Sequence, residues 1–211
     1  MVTIRPASPS DAKEMLAIYR YYVTDTTVSS EYEPPSLEIF QERIRTYTEK
    51  LPWLICRIDG NAVGYGYASP HRSRAGYQWS VETSIYVAPE FQRHGIAGAL
   101  YRSLFSLLVR QGYYNIFVGI TSPNEKSIKF HTAMGFVISG AYQNSMYKFG
   151  KWRDVIWMAK SLRSHEVAPV PTVSFPEIAQ EAQTESVLLA QAQTVKPFNV
   201  GEVCGDEKKT G

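Results

Sequence analysis

Hydrophobic and polar positions along the chain change period several times. VTIRPA at the start predicts a short strand. Met15, Leu16, Ile18 and Tyr19 follow Ser10 and an acidic first turn with the 3.6-residue recurrence of an amphipathic helix. The same recurrence returns at Leu37, Phe40, Ile44 and Tyr47, in a segment running to Lys50 and closed by Pro52. The period then drops to two. WLICRI and AVGYGYASP flank Asp59-Gly60-Asn61, a turn sequence that favours a hairpin. In the next strand Trp79, Val81, Ile85 and Val87 alternate with Ser80, Glu82, Ser84 and Tyr86, so one face is apolar and the other carries Glu82. A glycine-containing turn then leads into Leu100, Leu104, Leu107 and Leu108 at helical spacing, ended by Gly112. NIFVGIT predicts a buried strand, 124–134 a helix stopped by Gly135, and FVISGAY and VIWMAKSL two closing strands. Such an order builds an α/β fold around a mixed sheet, with no internal repeat.

The texture changes at Ser164. An extended Ala168-Pro-Val-Pro-Thr stretch precedes a Ser174-x-x-Glu177 capping box and a weak apolar stripe of Ile178, Ala182, Leu188, Leu189 and Ala192, ending near Pro197. Residues 1–163 are therefore expected to form one domain. Residues 164–211 form an acidic extension, either partly disordered or a helix packed on the domain or a partner. Charge follows this division: the extension holds seven acidic and three basic residues, a net of −4, which leaves +6 on the rest of a chain whose net charge is +2. That basicity suits an anionic small molecule, and no dense Lys/Arg run of the kind nucleic acid favours is present, so nucleic acid is not an expected partner. Two cysteines, Cys56 in an apolar strand and Cys204 in the extension, provide neither a disulfide framework nor metal-ligand spacing, and no metal is expected. No apolar run approaches a membrane span, so a cytoplasmic protein without a membrane partner is the expectation.

The chemistry-bearing run is Gln92-Arg93-His94-Gly95-Ile96-Ala97-Gly98, between the alternating strand and the Leu-rich helix. The N-terminus of a helix offers backbone N–H groups without internal partners and the positive end of a dipole, so a strand-turn-helix with glycines in its first turn can cradle a phosphate. The competing reading is a plain turn with close helix packing. A Walker loop is excluded because no Gly-Lys-Ser/Thr follows, and a dinucleotide fingerprint lacks its third glycine.

Together with Ser84-Ile-Tyr-Val-Ala-Pro-Glu-Phe, that run resembles the acetyl-CoA signature Gln/Arg-x-x-Gly-x-Gly/Ala of the GNAT acetyltransferase superfamily. Ala68-x-Pro, Tyr77-Gln-Trp, Val81-Glu-Thr-Ser-Ile-Tyr-Val and Gly150-Lys-Trp-Arg-Asp-Val resemble its phosphinothricin and methionine sulfoximine N-acetyltransferase branch. The resemblance spans about residues 2–162. It implies a mostly antiparallel sheet of about seven strands flanked by about four helices, and acetyl-CoA as cofactor. Ile85, Tyr86 and Val87 would then pair with the pantetheine arm. Arg93, His94, Gly95, Ile96, Ala97 and Gly98 would wrap the pyrophosphate, and Asn124 and Ser127 would contact the cofactor's arm. Ala97 stands at the signature's second glycine, followed by Gly98.

Glu82, on the non-apolar face of that strand, is then the expected base, set between Trp79 and Tyr86; unaided by the resemblance it reads sooner as a solvated strand glutamate. His131, seven residues after Asn124, takes the place of the superfamily's acid tyrosine, with a structural histidine as the alternative. His71 and His165 are given no role. The Val87 N–H, freed by a strand bulge, is the expected oxyanion donor. Arg72 and Arg74, with the aromatic wall of Tyr77 and Trp79, suit the carboxylate of an amino-acid-like substrate, with Tyr21, Thr26 and Thr27 as further lining. The expected reaction is acetylation of its α-amine through a ternary complex. The alternatives are acetylation of protein N-termini or polyamines, and a non-enzymatic acetyl-CoA-binding module. The resemblance also implies a homodimer, with 142–157 as a possible interface.

Overall fold

The computed structural model describes residues 1–196. Seven strands form one sheet in the order β1 (Val2–Pro6), β2 (Trp53–Ile58), β3 (Asn61–Pro70), β4 (Ser80–Val87), β5 (Asn115–Thr121), β7 (Lys151–Ser161) and β6 (Val137–Lys148). All neighbours are antiparallel except β4 and β5. The β2–β3 hairpin turns on Asp59 and Gly60 at φ 49° and 84°, the left-handed pair that a two-residue turn demands.

Helices α1 (Ala12–Thr24) and α2 (Leu37–Thr48) cover one face, and α3 (Ile96–Gln111) and α4 (Glu125–Ala133) the other. Two residues of β4 at odd spacing, which alternation sends to opposite faces, show the division. The Tyr86 ring meets Tyr19 and Tyr22 of α1 edge-on at 5.0 Å each, whereas Thr83 bonds the Tyr101 hydroxyl of α3 at 3.4 Å. The face of β4 expected to be polar is thus closed at Tyr86, which is buried. Aromatic rings fill that side. Trp53 stacks on Tyr67 at 4.2 Å, and Tyr47, Tyr65, Phe40 and Tyr19 continue the cluster, which accounts for much of the tyrosine content. Helix α1 is entered through a capping box of Ser8 and Asp11 rather than at Ser10. Burial pushes the Asp11 carboxyl up, but hydrogen bonds from Arg5, the Ser8 N–H and Arg57 outweigh it and hold the group well below the usual carboxylate range.

The extension packs on the domain. Its capping box closes as expected, with the Ser174 N–H and hydroxyl both on Glu177 Oε1 at 2.8 and 2.6 Å. Two helices follow instead of one, α5 (Phe175–Ala179) and α6 (Ala182–Ala192), lying against α3 and β1. Phe175, Ile178, Leu188, Ala192 and Val195 join the larger core, whereas Leu189, expected in the stripe, is 63 % exposed. Arg110 pairs with Glu181, and Arg102 bonds Gln191 Oε1 at 2.6 Å and Thr194 Oγ1 at 2.7 Å. Pro197 and Cys204 lie outside the described residues.

Candidate active site

Strands β4 and β5 pair only at Ser80↔Asn115, Val81↔Ile116 and Glu82↔Phe117. Beyond that point they part, leaving the β5-facing backbone of Thr83–Val87 without a strand partner and opening a wedge between two elements of the same sheet. The bulge expected at Val87 is absent: the β3–β4 ladder runs without a register shift from Pro70↔Val81 to Gly64↔Val87. Divergence of the parallel pair frees the backbone instead. The Val87 N–H lies 3.3 Å from the Tyr22 hydroxyl, which donates to the Val87 carbonyl at 2.5 Å and accepts from Gln92 Nε2 at 3.3 Å.

A cavity of about 810 Å³ occupies the wedge. Ile85, Tyr86, Val87, Arg93, Gly95, Ile96, Ala97, Gly98, Asn124 and Ser127 all line it, with Thr83, Tyr101 and His131. His94 does not; its Nδ1 lies 2.9 Å from the Gln92 carbonyl, and its own carbonyl accepts from the Lys196 N–H at 3.0 Å. Gly95 is the N-cap of α3 at φ 85° and Arg93 is also left-handed at φ 71°. A non-glycine residue is held there at roughly 1–2 kcal/mol of strain. Gly95 has no capping side chain, so the first-turn N–H groups of α3 face the cavity mouth without a side-chain acceptor. A concave, cationic run of amides leading into a long apolar slot fits a pyrophosphate with an extended arm. Asn124 caps α4, accepting from the Ser127 N–H at 3.1 Å.

His131 is wired on both ring nitrogens. Nε2 lies 2.8 Å from the Tyr101 hydroxyl, and Nδ1 lies 2.8 Å from the Ser127 carbonyl. A carbonyl only accepts, so Nδ1 carries the proton and Nε2 accepts from Tyr101. Burial lowers the His131 pKa, against a raising contribution from that Ser127 carbonyl, and burial drives the Tyr101 phenol up. The expected lone acid is therefore a neutral imidazole coupled to a phenol. Tyr101 was not singled out from sequence, because its place in a Leu-rich helix reads as core.

On the far side of the Glu82↔Phe117 pair lies a smaller cavity of about 160 Å³, lined by His71, Arg72, Phe117, Ser139, Gly140, Tyr142 and Trp157. Glu82 Oε1 is 2.9 Å from His71 Nδ1. Its partner is thus a histidine that the sequence reading left without a role, rather than Trp79 and Tyr86. Arg72 reaches the Tyr142 hydroxyl at 3.4 Å, and the Tyr77 ring stands 5.9 Å from that of His71. Trp79 is elsewhere, its indole N–H bound to the Val170 carbonyl at 2.7 Å. Arg74 and Tyr21 are exposed and, like Thr27, line neither cavity. Trp157 Nε1, in contrast, is a buried donor with no partner among the described residues, on a residue of the small cavity's wall.

The model of the acetyltransferase (GNAT) domain family matches residues 4–157. The chain belongs to the GNAT acetyltransferase family. It is an acyltransferase that uses acetyl-CoA, in keeping with the phosphate-fitting turn and slot. Among its relatives, a phosphinothricin N-acetyltransferase of Streptomyces viridochromogenes is 32 % identical over 154 residues, covering 73 % of this chain and 84 % of the relative. An L-methionine sulfoximine/L-methionine sulfone acetyltransferase of Salmonella typhimurium is 28 % identical over 175 residues, covering 78 % and 96 %. The crystal structure of a phosphinothricin acetyltransferase from Sinorhizobium meliloti in complex with AcCoA is 30 % identical, with a TM-score of 0.78 over 86 % of this chain and 99 % of that one. No helix among the described residues is long and apolar enough to cross a membrane.

Proposed function

We propose that the enzyme acetylates the α-amine of a small amino-acid-like acceptor, of the class represented by phosphinothricin, methionine sulfoximine and methionine sulfone. The observation that carries this reading is the placement of Glu82 at the last β4–β5 pair, between the cofactor-fitting cavity and a small aromatic cavity that contains Arg72. Acetyl-CoA supplies an activated acetyl thioester. The amides around Arg93–Gly98 bind and orient the anionic end, and the unpaired edge of Thr83–Val87 holds the extended arm. Arg72, with the Tyr142 hydroxyl, takes the acceptor's carboxylate. Glu82 is the carboxylate that drives removal of the amine's proton, and the Tyr101–His131 pair stands where the leaving sulfur needs one.

Transfer is direct, within a ternary complex. Cys56, the one cysteine among the described residues, is buried in β2 and burial pushes its thiol up to about 12, so it is a poor acyl carrier. The exposed Tyr147 and Trp152, register partners on β6 and β7 with rings 5.3 Å apart, lie in the region assigned to a second copy of the chain. An amine-plus-carboxylate site open to varied side chains suits detoxification of amino-acid analogues in the cytoplasm. Thiol release measured against a panel of free amino acids, sulfoximines, sulfones and phosphinates should show turnover there. Turnover confined to peptides or polyamines, or tight acetyl-CoA binding with no turnover on any amine, would overturn it.

A further inference from the structure

We infer that His71 is the group that takes the proton from the acceptor amine, with Glu82 behind it as the carboxylate that sets its tautomer and stabilises its protonated form. This rests on the proposed acetylation of an amine and assigns the base within it.

Four observations converge on His71. The first is access: His71 lines the small cavity, whereas Glu82 is not among the residues lining either cavity. The second is the hydrogen bond of 2.9 Å from His71 Nδ1 to Glu82 Oε1. A carboxylate only accepts, so Nδ1 bears the proton and the lone pair is left on Nε2, which has no hydrogen-bond partner among the described residues. The third is rigidity. The imidazole stacks on Phe117 with centroids 4.3 Å apart and planes at 17°, and Trp157 closes one side edge-on at 6.0 Å. The fourth is position. Phe117 is the register partner of Glu82 at the point where the sheet opens, and the next residues along, Thr83 and Val118, line the cofactor cavity. A base at that boundary is beside the place where amine and thioester meet. The other titratable or charged groups around the ring are Arg72, Tyr77 and Tyr142.

The step balances as follows. The amine's lone pair forms the new C–N bond to the acetyl carbon, and the proton it sheds moves to His71 Nε2. The C–S bonding pair leaves with sulfur, which takes a proton from the Tyr101 hydroxyl of the Tyr101–His131 pair; between turnovers His71 gives its proton to solvent and Tyr101 regains one from it.

The test uses the full chain with methionine sulfone, or whichever acceptor the panel identifies. His71→Gln should lower kcat about 100-fold while the acetyl-CoA Kd stays within about twofold, the range expected for loss of a general base. The double variant with Glu82→Gln should be no more than about threefold slower than His71→Gln alone, since the two act as one unit. In His71→Ala, added imidazole should restore at least tenfold of the lost rate. A structural role would not give that rescue. Independently of turnover, nitrogen NMR of histidine-labelled protein should show the Nδ1–H tautomer at His71, shifted by Glu82→Gln. If His71→Gln stays within threefold of the parent while Glu82→Gln is slow, or His71→Ala shows no imidazole rescue, or His71 carries its proton on Nε2, the assignment fails and acetylation with Glu82 as base survives. If wild type turns over no amine, the underlying reading fails instead. Unaltered acetyl-CoA binding in each variant certifies that it has folded.

Discussion

The cavity proposed for the cofactor draws chiefly on backbone, and the one proposed for the acceptor on side chains. Around Arg93–Gly98 and Thr83–Val87 the useful groups are peptide amides, fixed by two left-handed residues, a helix start and the parting of β4 from β5. Around the small cavity the groups proposed to act are the His71 imidazole and Arg72 guanidinium, from one loop, the Tyr142 hydroxyl of β6 and the Trp157 indole of β7, brought from three separate segments. Amides can be offered by many sequences provided the turn keeps its shape, so that side tolerates change in all but a few positions. Side chains carry identity, so the acceptor side is where small differences in sequence change chemistry.

That contrast has graded consequences. The largest concerns the extension, which reaches the mouth of the larger cavity: Thr194 and Val195 stand against Gly95, with the Thr194 carbonyl 3.5 Å from where a Cβ would lie. Phe175→Ala, which empties a site only 3 % exposed, should destabilise the protein by about 3–5 kcal/mol in denaturant unfolding. Truncation after Arg163 should in addition weaken acetyl-CoA binding while sparing the acceptor cavity; equal acetyl-CoA affinity in the truncated protein would remove the bracing role. Next, Gly95→Val forces a β-branched residue to φ 85° and should raise the acetyl-CoA Kd by about 10- to 100-fold in calorimetry. Arg72→Gln should raise the acceptor KM about tenfold with a much smaller change in kcat, and Arg74→Gln should change neither, which separates the two arginines that sequence alone left equivalent.

The smallest effect is on pH. Burial favours the neutral form of His131, so its folded pKa lies below the ordinary value of 6.5. The unfolded chain then binds more protons in the window beneath that value. The stabilising contribution is complete above about pH 6.5 and falls as pH drops towards the folded pKa. Thermal melts should show that slope below about pH 6.5, shallower in His131→Asn. A melting temperature flat across the window, equal in both proteins, would mean that the imidazole is not held neutral.

What could be read in advance follows the same division. The strand, the turn and the Leu-rich helix are contiguous, so residues 84–98 are legible as a strand-turn-helix by order alone, while their reading as a phosphate cradle over a plain turn comes from the resemblance. Glu82 was legible as a position on a strand face but its partner was not. Ser69 pairs with Glu82, which puts His71 two residues on, just past the end of β3 and diagonal to it. Recognising this requires the register across the 71–79 connection, and that segment folds through a short 3-10 turn at Ala75–Tyr77 whose length no periodicity reveals. Trp79 was misplaced for a related reason. It precedes β4 on the apolar alternation and so belongs to the opposite face, where Val170 of the extension receives its N–H. Tyr22 and Tyr101 are hidden because a tyrosine at helical spacing reads as core, and in both cases the residue is buried while its hydroxyl bonds a group of the cavity wall.

The parting of β4 from β5 at Glu82 makes one direct demand: the carboxylate must matter to chemistry and not to cofactor capture. Steady-state turnover and acetyl-CoA calorimetry on Glu82→Gln measure both at once. A fall in kcat of about 100-fold or more at a Kd within about twofold of the parent is the predicted result. Unchanged turnover, or a loss that appears entirely as weakened acetyl-CoA binding, would contradict it.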